Sequence, residues 1–138
     1  MTDKCFVDTN ILVYAHDFKQ GPKHGRARAL LEKLWDSGEG VISTQVLQEL
    51  CVTLRRAAQP LSISGIRQMV LDYSSWQVVV NTPESVLQAL DIETRYQISF
   101  WDALIVQAAT ISGAAVLYSE DLADGQAYGS VKVVNPLK

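Results

Sequence analysis

The run Cys5-Phe6-Val7-Asp8-Thr9-Asn10-Ile11-Leu12-Val13-Tyr14 decides the architecture. Cys5, Phe6 and Val7 form a short apolar stretch that ends on an acid, the pattern of a buried strand. Asn10 is placed to cap a helix that follows through about Asp17. The same strand-then-helix pattern recurs downstream. Pro22 opens a second helix, with Ala27, Leu30, Leu31, Leu34 and Trp35 at helical spacing and Gly38 at its exit. Val41-Ile42 reads as a strand. Ser43 or Thr44 then caps a helix reaching about Ala58, before Pro60. Ser62 or Ser64 caps another, whose inner face is Ile66, Met69, Val70 and Tyr73. Val78-Val79-Val80 is β-branched throughout and reads as a strand. Thr82-Pro83 starts a helix with Val86, Leu87 and Leu90 expected to face inward. Ser99 caps a nearly all-apolar helix from Phe100 to Ile111, closed by Gly113. Ala115–Tyr118 and Val131–Val134 complete a set of five strands.

Strands separated by helices need crossover connections, and so a mainly parallel sheet covered on both faces. Ligands bind such sheets outside the carboxyl ends of the strands. The residue that follows each strand is therefore a candidate for function.

Composition supports a single packed domain over residues 1–138. At 138 residues the length suits one domain, and 48% hydrophobic content with a net charge of −3 excludes a mainly disordered chain. No apolar run approaches the ~18 residues of a membrane helix. Met1-Thr2-Asp3-Lys4 lacks the basic and apolar regions of a signal peptide, so the cytoplasm is the expected compartment, with no membrane partner. Cys5 and Cys51 stand apart in apolar stretches and are expected to be reduced, buried thiols. His16 and His24 lack metal-ligand spacing, which argues against zinc chemistry. Fifteen acids oppose twelve bases, so bulk positive charge does not hold this chain on nucleic acid. The distribution is uneven. Lys19, Lys23, Arg26, Arg28 and Lys33 cluster with only Glu32 opposing, and residues 84–124 hold seven acids with only Arg95 opposing. The basic stretch is either a solvated helix face or a local phosphate-binding edge.

Five acids stand out by position. Asp8 follows the first strand, where it serves equally as a turn or cap residue. Glu49 lies at the border of the stripe Val46, Leu47, Leu50, Cys51 and Leu54, about 60° from Val46 around the helix. There it is either solvated or leans over the end of the sheet. Asp102 falls on an apolar helix face beside Ile105, Val106 and Ala109. Ser99-x-x-Asp102 also reads as a capping box, yet a carboxylate in such surroundings calls for a partner or a cation. Glu120 and Asp121 follow the fourth strand, and at least one is expected to face the crevice of Asp8. Two carboxylates ~4 Å apart repel by about 4 kcal/mol at an effective dielectric near 20. A cluster of this kind holds protons or a cation, and oxygen ligands without Cys or His suit Mg²⁺ or Mn²⁺. Such a site can activate water and hold a phosphate in line, which is the chemistry of phosphodiester hydrolysis.

These residues in this order resemble a PIN domain, the fold of many metal-dependent ribonucleases. The resemblance is carried by Phe6 to Tyr14, helical Glu49, Ser99-Phe100-Trp101-Asp102-Ala103 and Leu117-Tyr118-Ser119-Glu120-Asp121-Leu122. The ending Gly125…Gly129…Val133-Val134-Asn135-Pro136 is similar to one bacterial branch, and a single PIN domain of this length resembles the VapC toxins of toxin–antitoxin pairs. The resemblance implies a three-layer α/β fold around a central, mainly parallel five-stranded sheet. It implies an acidic quartet of Asp8, Glu49, Asp102 and Asp121. Asp8 and Asp102 would be the firmest ligands of Mg²⁺ or Mn²⁺, with Glu49 and Asp121 acting through water or holding a second ion. Asn10 and Ser119 would help order the site, with Thr9 beside it. Either Glu120 or Asp121 could turn inward, with Asp121 preferred. The implied activity is endonucleolytic hydrolysis of single-stranded or looped RNA to a 5′-phosphate and a 3′-hydroxyl. Lys19, Lys23, Arg26 and Arg28 would guide the RNA backbone. A small antitoxin protein whose tail blocks the crevice, and a homodimer, are the implied protein partners.

Rival chemistries fit less well. An aspartyl-phosphate phosphatase needs an acid two residues after Asp8, where Asn10 stands. A receiver domain needs an Asp after the third strand, where Asn81-Thr82-Pro83 stands. The non-enzymatic alternative is a catalytically inactive PIN-like module that binds RNA or protein, against which the complete acid set argues.

Overall fold

The computed structural model describes residues 3–57 and 60–138. The chain alternates as expected: β1 (Cys5–Val7), α1 (Thr9–His16), α2 (Pro22–Ser37), β2 (Gly40–Ser43), α3 (Thr44–Arg55), α4 (Ile63–Tyr73), β3 (Gln77–Val79), α5 (Pro83–Tyr96), α6 (Phe100–Ile111) and β4 (Val116–Tyr118), then β5 (Ala127–Tyr128) and β6 (Val131–Val134). A 3-10 turn, Phe18–Gln20, links α1 to α2. The expected end of α3 near Ala58 lies outside the described residues. Helix starts follow side-chain chemistry: Ser43, Ser62, Thr82 and Ser99 each accept a backbone N–H at the start of α3, α4, α5 and α6.

The sheet has six strands, not five, in the order β3-β2-β1-β4-β6-β5. Its pairings are parallel except that of β5 with β6. The added strand is two residues long and turns back through Gly129, whose φ of 61° suits glycine. Phe6 and Val7 point to opposite faces of β1, and both have 0% exposure, so both faces of the sheet are covered.

The strand order places the functional edge. The chain builds outward from β1 through β2 to β3, then returns to lay β4 on the other side of β1. Right-handed crossovers running in these opposite directions put α1–α4 on one face and α5–α6 on the other. Between β1 and β4 the order reverses, and a crevice opens beyond the carboxyl ends of these two strands. The Asp8 amide bonds the Tyr118 carbonyl at 2.9 Å there, which holds the two exits side by side.

Three further expectations are corrected. Asp8, not Asn10, caps α1, because Asp8 is extended and its carboxylate accepts the Thr9 amide. In α5 the inward residues are Ser85 and Ala89, while Val86, Leu87 and Leu90 are exposed. The small residues let α5 close on Ala103 and Leu104 of α6, and that approach outweighs the greater hydrophobicity of the other face. Cys5 and Cys51 are free but only half-buried, at the margin of the core.

Candidate metal centre at the β1–β4 switch point

Asp8, Asp102 and Asp121 each offer a carboxylate oxygen, and these three atoms lie within 4.8 Å of one another. They come from three elements. Asp8 ends β1, Asp121 follows β4, and Asp102 stands in the first turn of α6. The trio runs from buried Asp8 through half-buried Asp102 to exposed Asp121, so the crevice opens to solvent on the Asp121 side.

Asp8 is held on both oxygens. The Thr9 amide donates to Oδ1 at 2.7 Å, and the Ser119 hydroxyl donates to Oδ2 at 2.8 Å. Burial nonetheless pushes its carboxyl up to about 7; the two hydrogen bonds work against this, and the charges of Asp121 and Asp102 add to it. Burial also raises Asp102, opposed by its contact with Ser99 and reinforced by Asp121. Ser99 caps α6 by accepting the Asp102 amide at 3.1 Å, which is one half of the expected capping box, while the Asp102 carboxylate joins the cluster. Among the described residues, no Lys or Arg forms an ion pair with any of the three aspartates. Three hard carboxylate donors lacking a basic partner fit a divalent cation such as Mg²⁺ or Mn²⁺.

Glu49 stands outside the trio. Its Oε1 accepts a 2.9 Å hydrogen bond from Thr9 Oγ1, and the Thr9 backbone in turn bonds Asp8. It therefore faces the crevice one residue removed from Asp8. Ser119 is fully buried and joins the two strand exits: it donates to Asp8 and accepts the amides of Asp121 and Leu122. Asn10 accepts the Glu120 amide at 3.4 Å, while its buried Nδ2 has no partner.

Glu120 turns away from the trio. Its carboxylate accepts from Tyr14 Oη and pairs with Lys23 at 2.8 Å. Lys23 also lies 5.0 Å from the Tyr14 ring centroid, and these partners hold the Glu120 carboxyl below its ordinary value. This link between α1, α2 and the Asp121 loop was not evident in the sequence; the signal was Tyr14 one helical turn after Asn10. Two other bases of the cluster have partners of their own. Arg26 donates to the Leu137 carbonyl, and Arg28 pairs with Glu32 at 3.6 Å within α2. A cavity of about 720 Å³ between α2 and α4, lined by His16, Trp35, Met69 and Tyr73 among others, includes none of the four quartet acids.

A doubly covered parallel sheet with a carboxylate trio at its switch point defines a class of α/β protein whose acidic crevice at the strand ends could hold a cation. The PIN domain family model matches residues 5–123, and the chain belongs to that family. No curated protein sequence matches it. Among solved structures it is similar to the toxin VapC20 of Mycobacterium tuberculosis, described as cleaving the sarcin–ricin loop. The identity is 22%, the TM-score 0.66, and 86% of this chain and 90% of that one are covered. It is similar to a chain of a toxin–antitoxin complex from Klebsiella pneumoniae, with 20% identity, TM-score 0.70 and coverage of 96% and 98%. It is also similar to a chain of DNA-bound VapBC from Salmonella typhimurium, with 16% identity, TM-score 0.65 and coverage of 96% and 97%. At these identities the likeness is one of fold.

Proposed function

We propose that this chain is a divalent-metal-dependent endoribonuclease, acting as the toxin of a toxin–antitoxin pair. The observation that carries the reading is the trio Asp8, Asp102 and Asp121, gathered within 4.8 Å without a basic partner. The PIN family membership and the fold likeness to VapC20 and to a chain of a toxin–antitoxin complex support it. Asp8 and Asp102 are the principal ligands, Asp121 adds a third carboxylate at the open, solvent side, and Glu49 acts through water. A bound Mg²⁺ or Mn²⁺ would lower the pKa of water and neutralise charge on the phosphate.

The chain's own residues do the rest. Ser119 and the Thr9 amide keep Asp8 oriented. Thr9 holds the Glu49 carboxylate at the edge of the crevice, where it is available as a proton acceptor. Asp121, exposed at the mouth, sets the side from which RNA enters. Partners follow from the same reading: RNA as substrate, a cognate antitoxin that covers the crevice, and a second copy of the chain as a homodimer. Among the described residues no helix is long and apolar enough to cross a membrane.

The test is cleavage of a mixed cellular RNA pool by the antitoxin-free protein. Mg²⁺, Mn²⁺ and chelator are compared, with Asp8→Asn and Asp102→Asn in parallel. Discrete metal-dependent cuts that vanish in both variants support the reading. Metal binding with no cleavage favours an inactive binding module, and failure to bind any divalent ion removes the premise.

A further inference from the structure

Beside the carboxylate trio lies a groove of about 450 Å³ lined by Gln45, Gln48, Glu49, Val52, Thr53 and Trp101. Glu49 forms part of its wall, and Thr9 ties Glu49 to Asp8 of the trio; Trp101 precedes Asp102 in the first turn of α6. Trp101 is 62% exposed, a large apolar surface left in water on the first turn of a helix otherwise among the most buried in the fold. Its position is fixed from below. The Trp101 carbonyl accepts from Gln45 Nε2 at 3.2 Å, and its ring meets Phe100 edge-on at 5.3 Å. Gln45 is 5% exposed, and its Oε1 has no hydrogen-bond partner.

We infer that this groove is a nucleobase subsite: Trp101 stacks a base of single-stranded RNA next to the scissile phosphate, and Gln48 and Thr53 bond its edge. The inference rests on the nuclease reading above and adds to it where the substrate is gripped. Charge decides which part of the nucleotide enters. The lining includes no Lys or Arg, and its one charged side chain is Glu49. A phosphate is repelled there, whereas a neutral base is not. An aromatic face set beside amide and hydroxyl groups is the combination that holds an unstacked base, by its π-face and by its edge. The phosphate that follows this base is then left beside the aspartates, where a cation can receive it.

The experiment measures binding of fluorescein-labelled ten-nucleotide oligo(A), oligo(C) and oligo(U), and of an abasic strand of equal length, with Ca²⁺ as the ion. Wild type, Trp101→Ala, Trp101→Phe and Gln48→Ala are compared, and cleavage of the RNA pool in Mg²⁺ or Mn²⁺ is run alongside. Trp101→Ala is expected to weaken oligonucleotide binding ~5- to 150-fold, the range of a lost base–aromatic stack. Trp101→Phe should keep most of the affinity while removing the quenching of tryptophan emission that RNA causes in wild type. The abasic strand should bind wild type as weakly as the based strand binds Trp101→Ala. Equal affinity in wild type and Trp101→Ala overturns the subsite and leaves the nuclease reading intact, as does a variant that changes only oligomer mass. A wild type that neither binds nor cuts RNA overturns both.

Discussion

Ser119 Oγ donates a 2.8 Å hydrogen bond to Asp8 Oδ2 across a sequence separation of 111 residues. The same oxygen accepts the amides of Asp121 and Leu122. One buried hydroxyl thus orients the deepest carboxylate and anchors the loop that carries the shallowest. Ser119→Ala removes the donor to Asp8 and leaves two amides without their acceptor. The expected cost is about 1–3 kcal/mol of stability, together with a ~10–100-fold loss of Mn²⁺ affinity. Chemical denaturation and Mn²⁺ titration measure the two separately; unchanged metal affinity would show that Ser119 is structural only.

The raised carboxyl of Asp8 makes the metal-free fold sensitive to pH. Its ordinary value is 3.8 and burial lifts it to about 7, so the folded state holds the proton more tightly than the unfolded chain. The associated stability is fully present below pH ~4 and is lost as pH rises through about 7, by up to ~4 kcal/mol. With chelator, the melting temperature should therefore fall between pH 5 and pH 8. Asp8→Asn, which stays neutral, should flatten that fall. Mg²⁺ or Mn²⁺ should restore stability at pH 8 more than at pH 5. A melting profile identical in wild type and Asp8→Asn would refute the account.

The neighbours Glu120 and Asp121 have opposite assignments, and a pair of isosteric variants separates them. Asp121→Asn takes a carboxylate from the trio, and cleavage should fall by more than the ~10–100-fold that losing an outer partner costs. Glu120→Gln still offers Tyr14 an acceptor and gives up only a half-exposed ion pair with Lys23. Its effect on stability should stay within ~1 kcal/mol, and its cleavage rate should stay close to wild type. Initial rates on one RNA pool decide the matter, and a reversed order of the two variants would move Glu120 into the site.

Legibility in the sequence followed the physics of each feature. Acids after β1 and β4 were readable because a parallel sheet presents its strand ends on one edge, and Asp8 and Asp121 needed no side-chain detail to be placed there. Asp102 was readable as a carboxylate on an apolar helix face. The outward turn of Glu120 was not, because Tyr14 and Lys23, which hold it, come from other elements. The position of Glu49 outside the trio depends on a tether from Thr9 that no helical wheel reports. β5 escaped notice because two residues carry no periodicity. The inward face of α5 was misjudged because Ser85 and Ala89 win their place by closeness to α6, not by hydrophobicity.

Gly40 offers a test of the fold independent of the site. It opens β2, and a Cβ at this position would lie 2.5 Å from Cζ3 of Trp76 and 2.6 Å from Cε3. The Trp76 ring cannot simply swing aside, since it packs edge-on against both Trp35 and Tyr73, with ring centroids 5.2 Å away in each case. Tyr73 is further tied by its hydroxyl to His16 at 2.7 Å. An added methyl therefore has to move the whole aromatic cluster or push β2 out of register with β1. Gly40→Ala should destabilise the fold by about 1–3 kcal/mol, the range for overpacking a filled core. Near-ultraviolet circular dichroism should register the disturbance of the tryptophans. Trp76→Phe, which removes the ring carbons nearest Gly40, should recover part of the loss when combined with Gly40→Ala. A double variant no more stable than the sum of the single changes allows would place the strain elsewhere.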